Sequence, residues 1–246
     1  MSKGKANKGS QRDIQWLFND SRNRNLLEDK LKSRITEWLS PINHDDYQEY
    51  QDKQFMRKIG LGEYSNELTG KFWPNRGPVW DGLAKTDDGT ILLFEAKAHI
   101  SELFGGGMKA RSQKSRDTIL EALHKTARHI GADFDAVAWT DTMYQTANRL
   151  AHLYFLNVLL NKRHRLNEEP IKAKLIYLIF LNDKTVPSSG ETEETWRTAI
   201  DVADRYILKL PTPQKKFKSA NDSLKDWVEY VFIDTNKLIK PAMRSI

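Results

Sequence analysis

Apolar positions in the first seventy residues follow mainly a helical spacing. Between residues 21 and 39 they recur every three or four positions, and a Ser-Pro pair closes the run. This pattern predicts an amphipathic helix over residues 21–39. A weaker, mostly polar helix is predicted over residues 45–59, ahead of two glycines. We interpret residues 1–20 as a flexible, basic tail, because no apolar stretch follows the lysines of residues 1–10.

Two short β-prone runs form the most informative part of the chain. Residues 79–86 and 91–98 are separated by an Asp-Asp-Gly loop, which predicts a β-hairpin. A three-residue loop with Gly89 in the left-handed conformation would pair Thr86 with Thr90. A two-residue turn would shift the pairing by one position.

The register of this hairpin decides which side chains meet. In the three-residue loop Asp81 lies opposite Glu95, with the Cβ separation of about 4.5–5.5 Å that is typical of cross-strand neighbours. In the two-residue turn Asp81 faces Ala96 instead. Either register leaves Glu95 and Lys97 on the same strand face. Two charged side chains at the end of an apolar strand are costly to bury unless they bind a ligand or each other.

The downstream half of the chain alternates between helical and extended patterns. Helices are predicted over residues 115–130, 142–160 and 196–208, and a strand buried on both faces over residues 174–182. A hairpin, then helices, then a strand able to pair parallel to it predicts the α/β class. Residues 211–219 are interpreted as a linker, and residues 224–232 fit either a helix or a strand.

These elements suit one domain over residues 21–246. Within it we expect a helical N-terminal part, a catalytic core that contains the hairpin, and C-terminal additions, over residues 21–70, 71–183 and 184–246.

Composition narrows the possible chemistry. The chain has no cysteine, which excludes disulfides and thiol catalysis, so a metal ion must be held by oxygen or histidine. No apolar run approaches the roughly 20 residues of a membrane span, and no secretory signal is recognisable, so we expect a cytoplasmic protein without a membrane partner. Lys and Arg number 39 against 33 Asp and Glu, which favours a polyanion such as nucleic acid as the partner.

The hairpin charges suggest a metal site. Two carboxylates at Asp81 and Glu95 would converge on one point that Lys97 also reaches, and like charges so close need a cation between them. Oxygen donors favour Mg²⁺ or Mn²⁺, held by Asp81, Glu95 and the backbone carbonyl of Ala96. A surface salt bridge between Glu95 and Lys97 is the simpler alternative.

Asp81, followed across a hairpin by Glu95-Ala96-Lys97 with a helix and another strand behind, resembles the PD-(D/E)XK nuclease superfamily. The resemblance covers residues 79–182. It implies a restriction-endonuclease-like core, in which a mixed central sheet with a catalytic hairpin is flanked by helices. It also implies that Asp81 and Glu95 bind the metal, while Lys97 orients or activates the attacking water. The chain departs from the family where Val79-Trp80 replaces the usual proline before the Asp.

The resemblance implies a metal-dependent endonuclease that hydrolyses nucleic acid, with DNA as the expected polymer. One alternative is a catalytically inactive nuclease-fold module that binds nucleic acid or serves assembly. Another is a metal-dependent hydrolase of a small phosphorylated substrate, which a closed pocket would reveal. Homodimers are compatible with cutting both strands. Many family members carry an acidic residue ahead of the hairpin, and Glu49, Glu63 and Glu67 are eligible here, with a slight preference for Glu63.

Two further polar groups have both a functional and a structural interpretation. A glycine-rich basic segment could contact nucleic-acid phosphates or form an ordinary solvated loop, and its cations are Lys109, Arg111, Lys114 and Arg116. A polar stripe on the helix over residues 142–160 fits a structural role better than a cleft-facing one, and consists of Tyr144, Gln145, Asn148, Arg149 and His152.

Overall fold

The computed structural model describes residues 4–162, 169–186, 191–209 and 226–240. In these residues one five-stranded mixed sheet has the strand order β1-β2-β3-β4-β5. The strands are β1 (Ile35–Ser40), β2 (Gly82–Thr86), β3 (Ile91–Lys97), β4 (Ala173–Leu181) and β5 (Val228–Asp234). The pairs β1–β2 and β2–β3 are antiparallel, whereas β3–β4 and β4–β5 are parallel. The predicted α/β class is confirmed.

Helices cover both faces of this sheet. They are α1 (Gly9–Asn19), α2 (Ser21–Leu31), α3 (Asp52–Lys58), α4 (Ser65–Leu68), α5 (Gln113–Ile130), α6 (Tyr144–Tyr154) and α7 (Glu193–Leu208). Two π-helical segments, Ala138–Thr142 and Phe155–Leu160, flank α6. Short 3₁₀ turns occur at Asn43–Asp45, Gly62–Tyr64, Ile100–Leu103 and Thr235–Lys237.

The apolar core is divided by the sheet. Residues from α1 and α2 pack on one face with Leu92 and Phe94 of β3, and residues from α3, α5, α6 and α7 pack on the other with Leu93. All seven residues of β3 are buried. The central strands are therefore covered on both faces, as their near-continuous apolar sequences predict.

The predicted hairpin is confirmed, and its register is that of the three-residue loop. Gly82 pairs with Phe94, and Lys85 pairs with Ile91. Gly89 has a φ of +79°, the left-handed conformation that glycine adopts at little cost. The alternative two-residue turn is wrong, so the register places Asp81 opposite the Glu95 position.

The flexible tail expected over residues 1–20 is wrong for α1. Ile14, Leu17 and Phe18 are fully buried, because spacings of three and four residues place them on one helix face. A Cβ at Gly82 would lie 2.9 Å from Ile14 and 3.0 Å from Phe18, so the glycine allows α1 to approach β2 closely. Helix α1 is therefore an integral part of the domain.

The helix predicted over residues 21–39 is wrong in its second half. Asp20 caps α2 by accepting hydrogen bonds from the backbone N–H groups of Arg22 and Asn23, and the helix ends where Lys32 turns left-handed. Residues 35–40 form β1 instead, because pairing with β2 overrides the helical spacing. The amide of Asn23 exchanges two hydrogen bonds of 2.9 Å with the backbone of Ile239, which joins α2 to the segment after β5.

The remaining predicted elements have mixed outcomes. The helices over residues 115–130 and 196–208 and the strand over 174–182 are confirmed as α5, α7 and β4. The helix over 142–160 is confirmed as α6 with a π-helical end, whereas the helix over 45–59 shortens to α3. Residues 228–234 form a strand, which resolves the ambiguous C-terminal segment.

Residues 211–219, the expected linker, lie outside the described residues. In the described part of the chain no helix combines the length and the apolar character that crossing a membrane would require.

Candidate functional site

The hairpin brings its predicted chemical groups together at one end of the sheet. Asp81 immediately precedes β2, while Glu95, Ala96 and Lys97 form the C-terminal end of β3. The backbone N–H of Ala96 donates to Oδ2 of Asp81 at 2.8 Å, which fixes the Asp81 carboxylate against the neighbouring strand. The sequence-predicted approach of Asp81 to this part of β3 is therefore present.

Glu95 is the centre of a buried group of charges. Lys97 Nζ lies 2.7 Å from Glu95 Oε1, and Arg149 Nη2 lies 2.7 Å from Glu95 Oε2. Glu95 and Lys97 are only 3% and 5% exposed, so the salt bridge that was the simpler alternative to a site does form, but it is buried and not at the surface. Burial alone would raise the pKa of Glu95, but Arg149 and then Lys97 hold it below its ordinary value.

Glu49 is a third carboxylate beside those of Asp81 and Glu95. The backbone N–H of Trp80 donates to the carbonyl of Tyr50 at 3.1 Å, and this bridge carries the preceding Glu49 to the same cleft as Asp81. Gln11 of α1 donates to Glu49 Oε1 at 3.1 Å. Burial, then the negative charges of Glu95 and Glu49, raises the pKa of Asp81 to about 7.

Of the three eligible upstream acids, Glu49 lines the cleft, whereas Glu63, which was slightly preferred, and Glu67 do not. Glu63 is exposed on a 3₁₀ turn. Glu67 accepts a hydrogen bond of 2.9 Å from Lys71 on the surface. The choice depends on the pairing of Tyr50 with Trp80, which no local sequence pattern reveals.

The three carboxylates line a cleft with a volume of about 1080 Å³. One wall is formed by residues 73–79, where the Asp52 carboxylate accepts hydrogen bonds from the backbone N–H groups of Arg76 and Gly77 at 2.9 and 2.8 Å. The opposite wall includes residues 106–112. Both walls are held by the fold, so the cleft is a preformed feature.

The second wall is tied to the π-helical segment before α6. The backbone N–H groups of Gly105 and Met108 donate to the carbonyls of Thr142 and Thr140. A Cβ at Gly107 would lie 2.6 Å from an oxygen of the Asp141 side chain but 3.5 Å from its Cα, so a larger residue here would mainly displace that side chain.

The predicted nucleic-acid contacts divide into two pairs. Lys109 and Arg111 line the cleft and are exposed. Lys114 and Arg116 are also exposed, in the first turn of α5, but do not line the cleft. Arg76 adds an exposed cation on the opposite wall. The cleft therefore has acidic groups at its floor and basic groups at its rim.

Four members of the polar stripe on α6 line the cleft, namely Tyr144, Gln145, Asn148 and Arg149. Gln145 Oε1 accepts a hydrogen bond of 2.9 Å from Lys97, and Arg149 Nε donates to Glu95 at 2.9 Å. A functional signal was present, because Glu95 at the end of an apolar strand needs cations and the stripe supplies one.

The structural interpretation holds for His152. Its Nδ1 is 2.8 Å from the backbone carbonyl oxygen of Asn148, and the ring packs against Trp73 and Trp80. Burial lowers the pKa of His152 to about 3, so the ring is neutral at physiological pH.

The donor set suits a hard divalent cation in part. Burial, and then repulsion by Glu95 and Glu49, raises the pKa of Asp81, and a cation there would offset both effects. The surrounding donors are oxygens of the kind that Mg²⁺ and Mn²⁺ prefer. However, Glu95 is already paired with Lys97 and Arg149. In the described ranges no three His, Asp or Glu side chains form a ready-made metal cluster. The residues that could hold such an ion are Asp81 and Glu95, which line the cleft, with the backbone carbonyl of Ala96 next to Glu95 in β3.

Comparisons of the chain with protein-family models, curated proteins and solved structures find no match. The functional interpretation therefore depends on the geometry of this cleft.

Proposed function

We propose that the protein is a metal-dependent nuclease that hydrolyses phosphodiester bonds of nucleic acid, with DNA as the expected substrate. The observation that carries this proposal is that Asp81 and Glu95 line one cleft with a basic rim, while Lys97 Nζ lies 2.7 Å from Glu95 Oε1. The order of two antiparallel strand pairs followed by two parallel pairs supports a restriction-endonuclease-like core. The sequence resemblance to the PD-(D/E)XK superfamily supports the same class.

In this proposal Asp81, Glu95 and the Ala96 carbonyl hold Mg²⁺ or Mn²⁺, and Glu49 offers a further oxygen. The bound ion would lower the pKa of a water molecule and screen the charge of the phosphate. Lys97 orients the attacking water and stabilises developing negative charge. Its amine is held for this role by Glu95 and Gln145 at 2.7 and 2.9 Å.

The rim supplies sequence-independent attraction for a polyanion. Arg76, Lys109 and Arg111 are exposed and lie on both walls, where they can neutralise phosphates that flank the scissile bond. An exposed basic rim favours a polymer over a small phosphorylated substrate, for which an enclosed pocket would be expected.

The test is a cleavage assay on plasmid and single-stranded DNA with Mg²⁺, Mn²⁺ or EDTA. We expect metal-dependent cleavage that Asp81→Asn and Lys97→Ala each reduce at least about 100-fold. Asp201→Asn and Lys125→Ala are matched controls, since both side chains are exposed on helices away from the cleft. Cleavage that survives EDTA, or that the two cleft variants leave unchanged, would contradict the proposal.

A second candidate is an inactive nuclease-fold module that binds nucleic acid. It is favoured by one observation, the pairing of both Glu95 oxygens with cations of the protein itself. In that case DNA is retained in a gel-shift assay, no cleavage occurs with either metal, and Asp81→Asn leaves binding unchanged.

A further inference from the structure

Arg149 occupies the cation position beside Glu95. Its Nη2 lies 2.7 Å from Glu95 Oε2 and its Nε lies 2.9 Å from the same oxygen, so the guanidinium approaches this oxygen through two N–H groups. The other Glu95 oxygen is taken by Lys97 at 2.7 Å. One carboxylate thus faces two protein cations at hydrogen-bond distance.

The guanidinium is fixed in this position by the surrounding fold. Its Nη1 donates to Asn148 Oδ1 at 2.7 Å, and its Nη2 donates to the carbonyl of Val79 at 3.2 Å. It also lies over the Trp80 ring, 5.3 Å from the ring centre. Arg149 is 6% exposed, yet it lines the cleft, so it is held rigidly while one side faces the proposed substrate.

Two-metal phosphodiesterases place their ions about 3.5–4 Å apart, so the ions share neighbouring acidic groups. Here a second ion on the Glu95 side would need the space and the oxygen that Arg149 occupies. Asp81 has a different environment, since its Oδ2 accepts a hydrogen bond from the backbone N–H of Ala96 and it lines the cleft beside Glu49 and Glu95. The proposed ion would therefore lie between Asp81 and Glu95, and Arg149 already occupies the position beside Glu95 Oε2 as a permanent protein cation.

We infer that the cleft binds a single divalent ion per chain and that Arg149 takes the place of a second one. Arg149 contacts the phosphate and stabilises its charge, while Asp81 contributes to the ion site. An arginine remains protonated in proteins, so this charge is constant where a second metal site would depend on ion concentration. The inference rests on the proposed function, because it assigns roles within the same cleft.

The first experiment counts bound ions without using activity. The full chain is titrated with Mn²⁺ in the absence of nucleic acid, and free Mn²⁺ is measured by electron paramagnetic resonance. We expect one ion per chain, lost in Asp81→Asn. Two cooperating ions per chain that Asp81→Asn removes together would overturn the inference and leave the nuclease proposal standing. No bound ion would overturn the metal-dependent function itself, and the inference with it.

The second experiment tests the role of Arg149 through two quantities, cleavage and Mn²⁺ affinity, that should change in opposite directions. Arg149→Gln should lower cleavage by about 10²–10³-fold, the usual effect of losing one donor to developing charge. It should also strengthen Mn²⁺ binding by roughly tenfold or admit a second ion, because a nearby positive charge has been removed. A purely structural role predicts that metal binding weakens together with cleavage, which would contradict the inference.

Two further variants separate charge from packing. Arg149→Lys keeps the positive charge, so it should retain one Mn²⁺ per chain and recover part of the cleavage lost in Arg149→Gln. Arg24→Gln is the matched control, because Arg24 also lies over a tryptophan ring but on the other side of the sheet. It should leave both the Mn²⁺ count and cleavage unchanged. If Arg149→Gln does not fold, the Mn²⁺ count of the unaltered chain still decides the inference.

Discussion

Two buried groups of charges lie on opposite sides of the sheet, and they are built differently. At the cleft, Glu95 is paired with two cations and the group opens towards solvent-accessible space. Beneath α1, one guanidinium serves two carboxylates, since Arg12 Nη2 lies 2.8 Å from Asp183 and also bonds Asp13. Asp13 and Asp183 are 0% and 1% exposed, and the second oxygen of each lacks a hydrogen bond.

The difference separates a candidate functional site from a group that stabilises the fold, which consists of Arg12, Asp13 and Asp183 and is called the Asp13 group below. Buried charges are costly in both places, so burial alone does not indicate function. The Glu95 group lines a cleft together with the carboxylates of Asp81 and Glu49, where an ion can bind, and with exposed cations that can contact a phosphate. The Asp13 group has surplus negative charge enclosed by protein, where it can only fasten α1 to the segment after β4. Substitutions in the Asp13 group should change stability, and substitutions in the cleft should change binding and cleavage.

The largest expected effect is the loss of stability that Arg12→Met causes in the Asp13 group. This change leaves two buried carboxylates without their cation, so we expect a loss of about 3–5 kcal/mol in the free energy of unfolding. Urea denaturation measures it. Arg22→Met is the matched control, since its side chain is 67% exposed and its ion pair should contribute less than about 1 kcal/mol. Equal effects of the two variants would refute the stabilising role of Arg12.

The second effect is a pH dependence of stability. Burial, reinforced by Asp183 and opposed by Arg12, raises the pKa of Asp13 to about 7 from an ordinary value of 3.8. The folded state therefore holds a proton that the unfolded state releases, so this carboxyl lowers stability as the pH rises from about 4 to 7. Asp13→Asn should remove that loss and stabilise the protein at pH 8 by about 2–4 kcal/mol, given about 1.4 kcal/mol per pKa unit.

Urea denaturation of the two proteins at pH 4, 6 and 8 checks this sign. The difference between them should be small at pH 4 and should reach its full size near pH 7. A variant that is less stable than the original protein at pH 8 would show that the Asp13 carboxylate contributes as an ion-pair partner.

The third effect concerns cleavage and metal binding when Glu49, the upstream acid that lines the cleft, is replaced. Glu49→Gln should reduce metal-dependent cleavage and Mn²⁺ affinity by roughly 10–100-fold, the range typical of residues that support a metal site. Glu63→Gln should change neither, because Glu63 is exposed outside the cleft. Cleavage rates and Mn²⁺ titrations measure both quantities, and the reverse ranking would return Glu63 to the site.

The smallest effect is expected at the rim. Replacing both Lys109 and Arg111 with Ala should weaken DNA binding in EDTA roughly 3–10-fold and reduce the salt dependence by about one to two ions released. The same double replacement of Lys114 and Arg116 should have less effect, since these residues do not line the cleft. Fluorescence anisotropy at several salt concentrations distinguishes the two pairs.

Local sequence signals were sufficient for the hairpin and for the position of its charges. A Gly-containing loop and a strand period of two determine which residues of neighbouring strands face each other, and the observed register agrees. The α1 helix was also recoverable in principle, because Ile14, Leu17 and Phe18 have helical spacing. It was missed because the surrounding residues are polar.

Other parts of the site could not be predicted from local patterns. Arg149 reaches Glu95 across 54 residues, and Glu49 is placed by the bridge between Tyr50 and Trp80. The sequence of β1 has helical spacing, and the segment forms a strand because it pairs with the edge of β2. In each case the decisive interaction is with a distant segment, which a one-dimensional pattern does not contain.

The fastening of α1 and α2 also has a consequence for the order of folding. Arg12 meets Asp183 across 171 residues, and Asn23 meets Ile239 across 216. During synthesis these two helices leave the ribosome long before their partners exist. The packing of α1 against β2 and β3 can form earlier. The ion pair with Asp183 must wait for the segment after β4, and the hydrogen bonds with Ile239 must wait for the segment after β5. Contacts of such long sequence separation slow folding. We therefore expect α1 and α2 to reach their final stability only when the C-terminal part of the chain has been made.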